Sequence, residues 1–299
     1  AEKRKVTSNG GRSLTGLFLL PLIVLYSARV ITRNIHWSSE TEIFERALDV
    51  CPLSIKANNN IGMFRLGRGD FNGAQDVLEN ALFVHNNQVS AHINVAISYC
   101  RSGGFLNGLA HFERARLLHS SGYAKINGYK GICLNEWSNH INEENVEHIG
   151  LLKAQAAAEL DMAIASGWAP PAIGFQRAIL ALDTGDYETS LRLTLAAVET
   201  SAQAALTPHI PSQDMIGLHA GYNMLGVVYN HRKRDGDVEL SEKYYLKALE
   251  VSPNNCDTAN NLGMLYRQLG RLDDARKTLK LCDLSTMTMA DSRGATLNN

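Results

Sequence analysis

Small residues recur along this chain at a fixed interval. Gly62 and Ala96 lie 34 residues apart, and Ala81 and Ala115 repeat the same spacing. A turn signal, Gly-Asp at residues 69–70, separates the two halves of the first interval, so each interval holds two helical segments. A small residue that faces a large one lets two helices approach closely. The spacing therefore predicts a series of two-helix repeats.

An interval of 34 residues is the period of the tetratricopeptide repeat (TPR). We count a half repeat at 39–50, which opens with the capping-box pair Ser39 and Glu42, and six full repeats after it. The third repeat is interrupted around residues 137–146, and the fifth has a lengthened turn at 232–235. Inserted residues in such arrays usually form loops. We predict an all-α, right-handed TPR solenoid with one amino-terminal transmembrane helix.

The amino-terminal segment differs from the rest. Residues 14–28 are uncharged and mostly apolar, and extending them to a helix at 13–32 reaches the thickness of a bilayer if Arg29 lies at the interface. A cleaved signal peptide and a buried soluble helix are the alternatives. More basic residues precede the run than follow it, which places the amino end in the cytosol and the repeats across the membrane. The predicted segments are a basic leader at 1–12, the anchor at 13–32, the solenoid at 33–284 with an insertion near 134–149 and a loop near 200–215, and a flexible tail at 285–299.

Charge and cysteine content exclude several classes of protein. A formal net charge of -1 gives no electrostatic basis for binding nucleic acid. The five cysteines are scattered without a Cys-x-x-Cys pair, which predicts neither a zinc site nor a disulfide framework and leaves a single disulfide open.

Four sets of residues are candidates for a catalytic or ligand-binding site. The glycines at 67, 69 and 73 lie in a helix–helix turn and lack the rest of a phosphate-binding loop. His111 and His119 lack a zinc-protease pattern, and the basic run at 232–234 is read as a solvated loop with an anion site as the alternative. His140, Glu144 and His148 share one helix face and form the only metal-capable set, although ordinary exposed helices show the same spacing. We predict no catalytic residue, no cofactor and no metal.

The first helices of stacked TPR pairs line a groove, and protein binding is the default function of such a groove. Residues at its predicted positions in the first two repeats are mostly apolar and suit an amphipathic helix or a folded partner, unless a neighbouring loop fills the space. Asn94 resembles a residue that clamps a carboxylate in chaperone-binding TPR proteins, but Asn60 and Asn261 occupy the same place, which favours a consensus role. The predicted groove residues are Asn59, Met63, Leu66, Ile93, Ile97 and Cys100.

The join between the apolar run and the repeats resembles a known family. Arg33-Asn34, Trp37 and Glu40, followed by Cys51-Pro52 and Lys56-Ala57, are similar to the junction of the transmembrane and TPR repeat-containing (TMTC) proteins, and the resemblance covers residues 14–118. It implies a membrane protein of the endoplasmic reticulum with lumenal repeats, in a family linked to protein O-mannosylation. Transferase chemistry in that family belongs to multi-pass regions outside this sequence, so no residue here inherits it.

From these features we predict a non-catalytic, membrane-anchored scaffold that binds proteins as a subunit of a larger membrane assembly. The carboxyl-terminal tail shows no amphipathic period that would cap the last repeat, which favours coverage by a partner. The alternative is the repeat half of a TMTC-type O-mannosyltransferase. The expected location is a single-pass membrane position in the endoplasmic reticulum, with the mitochondrial inner membrane as the alternative.

Overall fold

The structure is a computed structural model that describes residues 11–35, 37, 39–119, 124–142, 144–168, 170–206 and 216–280. Side chains are described from residue 19 onward, except that of residue 35. The described residues form helices and contain no strand, which confirms the all-α, TPR-like class. The predicted leader at 1–12 and tail at 285–299 lie almost entirely outside them, as does most of the loop predicted near 200–215.

The chain divides into two compact units, residues 1–102 and 103–299. The first unit contains five helices: α1 (Gly11–Ile35), α2 (Glu40–Val50), α3 (Ile55–Gly67), α4 (Phe71–Val84) and α5 (Val89–Arg101). The second contains α6 (Phe105–Leu118), α7 (Ala124–His140), α8 (Val146–Ala165), α9 (Pro171–Asp183), α10 (Tyr187–Ala205), α11 (Leu218–Arg232), α12 (Asp237–Val251) and α13 (Cys256–Gln268). Residues 272–280 are also helical and are called α14.

Side-chain caps begin the helices where the sequence pattern places them. The Ser39 hydroxyl accepts a hydrogen bond from the Glu42 amide at 3.1 Å, as the capping-box prediction requires. Asp70 caps α4 by accepting from the Gly73 amide at 3.0 Å, and Asp186 caps α10 in the same way at 3.1 Å. The two helices of a repeat are thus separated by a turn whose last residue starts the second helix.

Small residues on first helices receive large residues from second helices. A Cβ at Gly62 would collide with the side chain of Leu78, and one at Gly226 would lie 2.5 Å from Cδ1 of Tyr245. Leu78 and Tyr245 are almost completely buried. These contacts fix the register of the helix pairs and confirm the sequence alignment of the first and fifth repeats.

The insertion in the third repeat lengthens two helices instead of forming a loop. Helix α7 continues to His140 and α8 begins at Val146, so the connection is only a few residues long. The Trp137 ring stacks on Phe105 with centroids 6.0 Å apart, and His148 packs edge-on against Trp137 at 5.8 Å. Because these rings give the extra turns a packing surface, the inserted residues remain helical.

Helix α1 covers the segment predicted as a membrane anchor. Nine large side chains between Leu19 and Ile31 are each more than half exposed. No helix among the residues described is long and apolar enough to cross a membrane, so the transmembrane anchor at 13–32 is not found. The described apolar stretch is about 20 Å long against about 30 Å for a bilayer core, and Arg29 interrupts it. The side chains of 13–18 lie outside the described residues.

Candidate protein-binding grooves

The predicted groove of the first two repeats is only partly open. Ile93 and Cys100 are 1% and 4% exposed, so neither side chain is available to an incoming partner in this structure. Asn59, Met63, Leu66 and Ile97 are half-buried. We call these four residues on α3 and α5 the amino-terminal groove, because they are the predicted positions that a partner could reach.

An asparagine pair links successive first helices in this groove. The Asn94 side chain donates a hydrogen bond of 2.9 Å to the side-chain oxygen of Asn59, and Asn94 itself is buried. Asn261 on α13 donates in the same way to Asn223 on α11 at 3.1 Å. The recurrence supports the consensus interpretation of Asn94, since both pairs join neighbouring first helices. Asn60 differs, because its amide donates to the Lys56 carbonyl at 2.7 Å within its own helix.

A second concave site, missed by the sequence analysis, lies along α11 and α13. It is a cavity of about 230 Å³, which we call the carboxyl-terminal cavity. The repeat period alone could have located it, since Asn230 and Met264 hold groove positions of the fifth and sixth repeats. Amide, basic and apolar side chains line it: Asn230, His231, Lys233, Asn261, Gln268 and Met264, with Val227 and Tyr245 completing the lining.

The basic run at 232–234 is divided between two environments. Arg232 donates to both carboxylate oxygens of Asp237, at 3.0 and 2.7 Å, and it also pairs with Glu188 at 3.2 Å. The hydrogen bonds from Arg232 lower the pKa of Asp237, and those to Asp237 raise the pKa of Arg232. Arg234 pairs with Glu188 at 2.8 Å, whereas Lys233 lines the carboxyl-terminal cavity. The solvated-loop interpretation therefore fails for Arg232, which is a packing element.

A half-buried lysine links three helices of the second unit. Lys130 on α7 pairs with Glu113 on α6 at 2.7 Å and with Glu159 on α8 at 2.8 Å. Burial alone would raise the pKa of Glu113 and lower that of Lys130, but the ion pairs outweigh it, so the pKa of Glu113 is lowered and that of Lys130 is raised. Arg116 also pairs with Glu113 at 2.6 Å, so two cations balance two carboxylates in a structural ion-pair cluster.

The candidate metal and phosphate motifs occupy structural positions. His140 contacts the Phe105 ring at 5.2 Å, while Glu144 is exposed beyond the end of α7. In the part of the chain that the structure describes, no three His, Cys, Asp or Glu side chains are placed to hold a metal ion. Gly69 has a φ of 78° in the turn between α3 and α4, and Gly73 lies inside α4. His111 and His119 are half-buried on and just after α6.

Two family models of the tetratricopeptide repeat match part of this chain. One tetratricopeptide model matches residues 220–255 and another matches 244–277. Together the two matches span residues 220–277, which include most of the fifth and sixth repeats. The same small-to-large packing recurs in the third repeat, where a Cβ at Gly131 of α7 would lie 2.7 Å from Cγ of Leu160 on α8.

Among known proteins, the chain is similar to the Protein CTR9 homolog of Arabidopsis thaliana, at 24% identity over 256 residues. That match covers 82% of this chain but only 21% of the relative, so the chain spans about a fifth of the relative's length. The fold resembles the Cut9 and Hcn1 hetero-tetramer of the APC/C with a TM-score of 0.61 and 14% identity, covering 81% of this chain and 42% of that one. It also resembles the type IV pilus biogenesis factor PilW with a TM-score of 0.57 and 16% identity, covering 75% and 90%.

These comparisons support TPR repeats and lend no support to the TMTC family or to a membrane junction. At such identities the structural neighbours show the fold alone. The resemblance to TMTC proteins stays a prediction.

Proposed function

We propose that this chain is a non-catalytic scaffold that binds protein partners along the first helices of its repeats. The observation that carries the proposal is the groove geometry. The first helices α3 and α5 contact each other, as do α7 and α9, and α11 and α13. Side chains at groove positions stay partly exposed on them. A concave surface built from stacked helix pairs suits an extended or helical partner.

Large apolar side chains on the surface favour membership of an assembly. Phe83, Leu106 and Leu117 are 88%, 70% and 78% exposed on second helices. Apolar surface of this kind often marks an interaction site when it is contiguous. The Cut9 structure, described as a hetero-tetramer, shows the same fold within a complex. We extend that role to this chain as part of the proposal.

The test of the proposal changes the amino-terminal groove without disturbing its core. Met63→Glu and Ile97→Glu together introduce two carboxylates at half-buried groove positions, and we expect bound partners to be lost because burying an unpaired charge opposes docking. Partners that co-purify from cells are quantified for both chains. The matched control is Ala110→Glu, which adds a carboxylate at an exposed position on α6 outside the apolar surface described above.

Circular dichroism should show equal helical content for the double variant and the control. Retention of every partner by a folded double variant would remove the amino-terminal groove from the proposal. Equal loss from the control would instead place binding on the exposed second helices.

We also propose that α1 contacts a lipid bilayer, at the endoplasmic reticulum or alternatively the mitochondrial inner membrane. Its exposed apolar side chains are followed by Arg29, Arg33 and Trp37, and Trp37 is 67% exposed. Basic and aromatic residues next to an apolar helix are typical of the headgroup region.

Flotation tests this second proposal. The purified chain should float with liposomes that contain anionic lipid, and Leu22→Glu combined with Ile23→Glu should abolish flotation because both side chains are more than half exposed on α1. Ala110→Glu serves again as the control. Flotation that survives in the α1 variant would exclude α1 as the contact.

A further inference from the structure

Lys233 occupies a backbone position that four other repeats give to glycine. Seven residues after the small packing residue of the first helix, the turn adopts the left-handed conformation in four repeats, at Gly69, Gly103, Gly185 and Gly270, with φ between 74° and 88°. The equivalent residue of the fifth repeat is Lys233, which has a φ of 55° and is the only non-glycine residue with positive φ in the described chain. Lysine is strained there, and strain of this kind clusters at functional sites.

The charge of Lys233 is also available, unlike those of its neighbours. Arg232 and Arg234 are both paired with Glu188, and Arg232 with Asp237 as well. Among the described residues, no carboxylate lies within ion-pair distance of Lys233. The fifth repeat therefore neutralises the two arginines and leaves the strained lysine beside the cavity.

The rest of the carboxyl-terminal cavity matches an anion. None of the described residues that line it is acidic, and Asn230, His231 and Gln268 supply polar groups. Asn261 uses one amide hydrogen for Asn223 and has a second. Arg267, exposed on α13, lines an adjoining depression together with Met264 and Gln268. Lys233 is thus surrounded by hydrogen-bond donors without a counter-charge.

We propose that the carboxyl-terminal cavity binds a carboxylate presented by an extended peptide. Its volume of about 230 Å³ is below the roughly 300–1,000 Å³ of small-molecule sites, so it suits one side chain or a chain terminus. Amide donors and a single lysine fit a carboxylate, whereas phosphate recognition usually employs clustered arginines. The proposal rests on the proposed function of protein binding along the first helices. Its residues differ from those of the amino-terminal groove, so the variants of the two sites distinguish failure of one from failure of the other.

The experiment measures peptide binding by fluorescence anisotropy with the whole chain at low and moderate salt. The main probe is a fluorescein-labelled octapeptide of alternating Asp and Gly with an amidated end. A second probe replaces Asp with Asn and keeps the amidated end, and a third is the Asn peptide with a free carboxyl terminus. A fourth carries phosphoserine in place of Asp. The second and third probes separate side-chain carboxylates from a terminal one.

Lys233→Gly is the decisive variant because it restores the residue used by four other repeats. We expect binding of the carboxylate peptide to weaken at least about tenfold, since a charge-assisted contact is lost. We expect the melting temperature to rise, because glycine relieves the strained backbone. Asn230→Asp, which places a carboxylate in the cavity, should weaken binding similarly. Lys243→Ala is the charge-matched control, since Lys243 is exposed on α12 and does not line the cavity.

If Lys233→Gly weakens binding of the Asp peptide and Lys243→Ala does not, the ligand of the cavity is a side-chain carboxylate. The same result with only the free-terminus peptide supports a terminal carboxylate. Four results would overturn the proposal. The neutral amidated peptide binds as well as the others, or Lys233→Gly has no effect. Alternatively, the phosphoserine peptide is preferred, or no probe binds.

Discussion

At the scale of single residues, arginines fasten the turns of the last two repeats. Arg232 lies over the Tyr229 ring at 5.1 Å and pairs with Asp237. Arg271 lies over Tyr266 at 4.3 Å and pairs with Glu242 and Asp274. In both turns one cation joins a first-helix tyrosine to the start of the following helix.

The Arg232 pair predicts an acid-sensitive contribution to stability. Hydrogen bonds from Arg232 lower the pKa of Asp237 in the folded chain. The ion pair therefore stabilises the fold fully at pH values above the unfolded-state pKa of about 3.9, and this stabilisation is lost as the pH falls through the folded-state pKa. Asp237→Asn should therefore destabilise the chain by about 3 kcal/mol at pH 7, since it leaves a largely buried Arg232 charge less compensated. Thermal melts at pH 7 and at lower pH measure this.

Asp235→Asn is the control, because Asp235 is exposed in the same turn. The difference between wild type and Asp237→Asn should shrink as the pH falls below about 4. A difference that stays constant with pH would show that the carboxylate charge is not the stabilising feature.

Predictions for single residues succeeded where the position in the repeat determines the structure. They failed where contacts with residues elsewhere in the fold determine it. The small residue at 62 and the cap at Ser39 follow from local pattern. The burial of Ile93 and the isolation of Lys233 between paired arginines do not, because both depend on side chains far along the chain or on other elements. Periodicity locates a groove position without telling whether it is open.

At the scale of elements, the contact between a second helix and the next first helix controls repeat stacking. Ala115 on α6 is completely buried, and α6 packs against α7. Ala115→Leu should overpack this contact and destabilise the chain by about 1 to 3 kcal/mol. The measurement is a thermal melt followed by circular dichroism.

Ala110→Leu is the matched control, because Ala110 is exposed on the same helix. The control should melt near the wild-type temperature. An unchanged melt for Ala115→Leu would contradict the placement of Ala115 at the packed position.

The lengthened helices α7 and α8 could not be predicted from the repeat period. The period assigns extra residues to a loop, whereas here Ile132, Leu134 and Leu152 join one buried cluster with Trp137 packed against it. Burial of these apolar side chains offsets the entropy cost of ordering more residues. Tertiary packing decided the structure of the insertion.

At the scale of the whole molecule, each unit packs large side chains of second helices against small residues of first helices. Some first-helix side chains stay partly exposed and can contact a partner. The fold class was predictable because small and large residues recur with the TPR period in the first two repeats and keep the same order in later ones. The amino-terminal helix was located correctly as a helix, but its described apolar length is below that of a bilayer span. The function assigned to the chain therefore rests on its grooves.

Amine-reactive cross-linking of the chain with its bound partners tests that central claim most directly. Lys56 on α3 and Lys233 after α11 lie on or beside first helices, whereas Lys243 on α12 and Lys277 on α14 are exposed on second helices. We predict that partner cross-links concentrate on Lys56 and Lys233. Cross-links confined to Lys243 and Lys277 would contradict binding along the first helices.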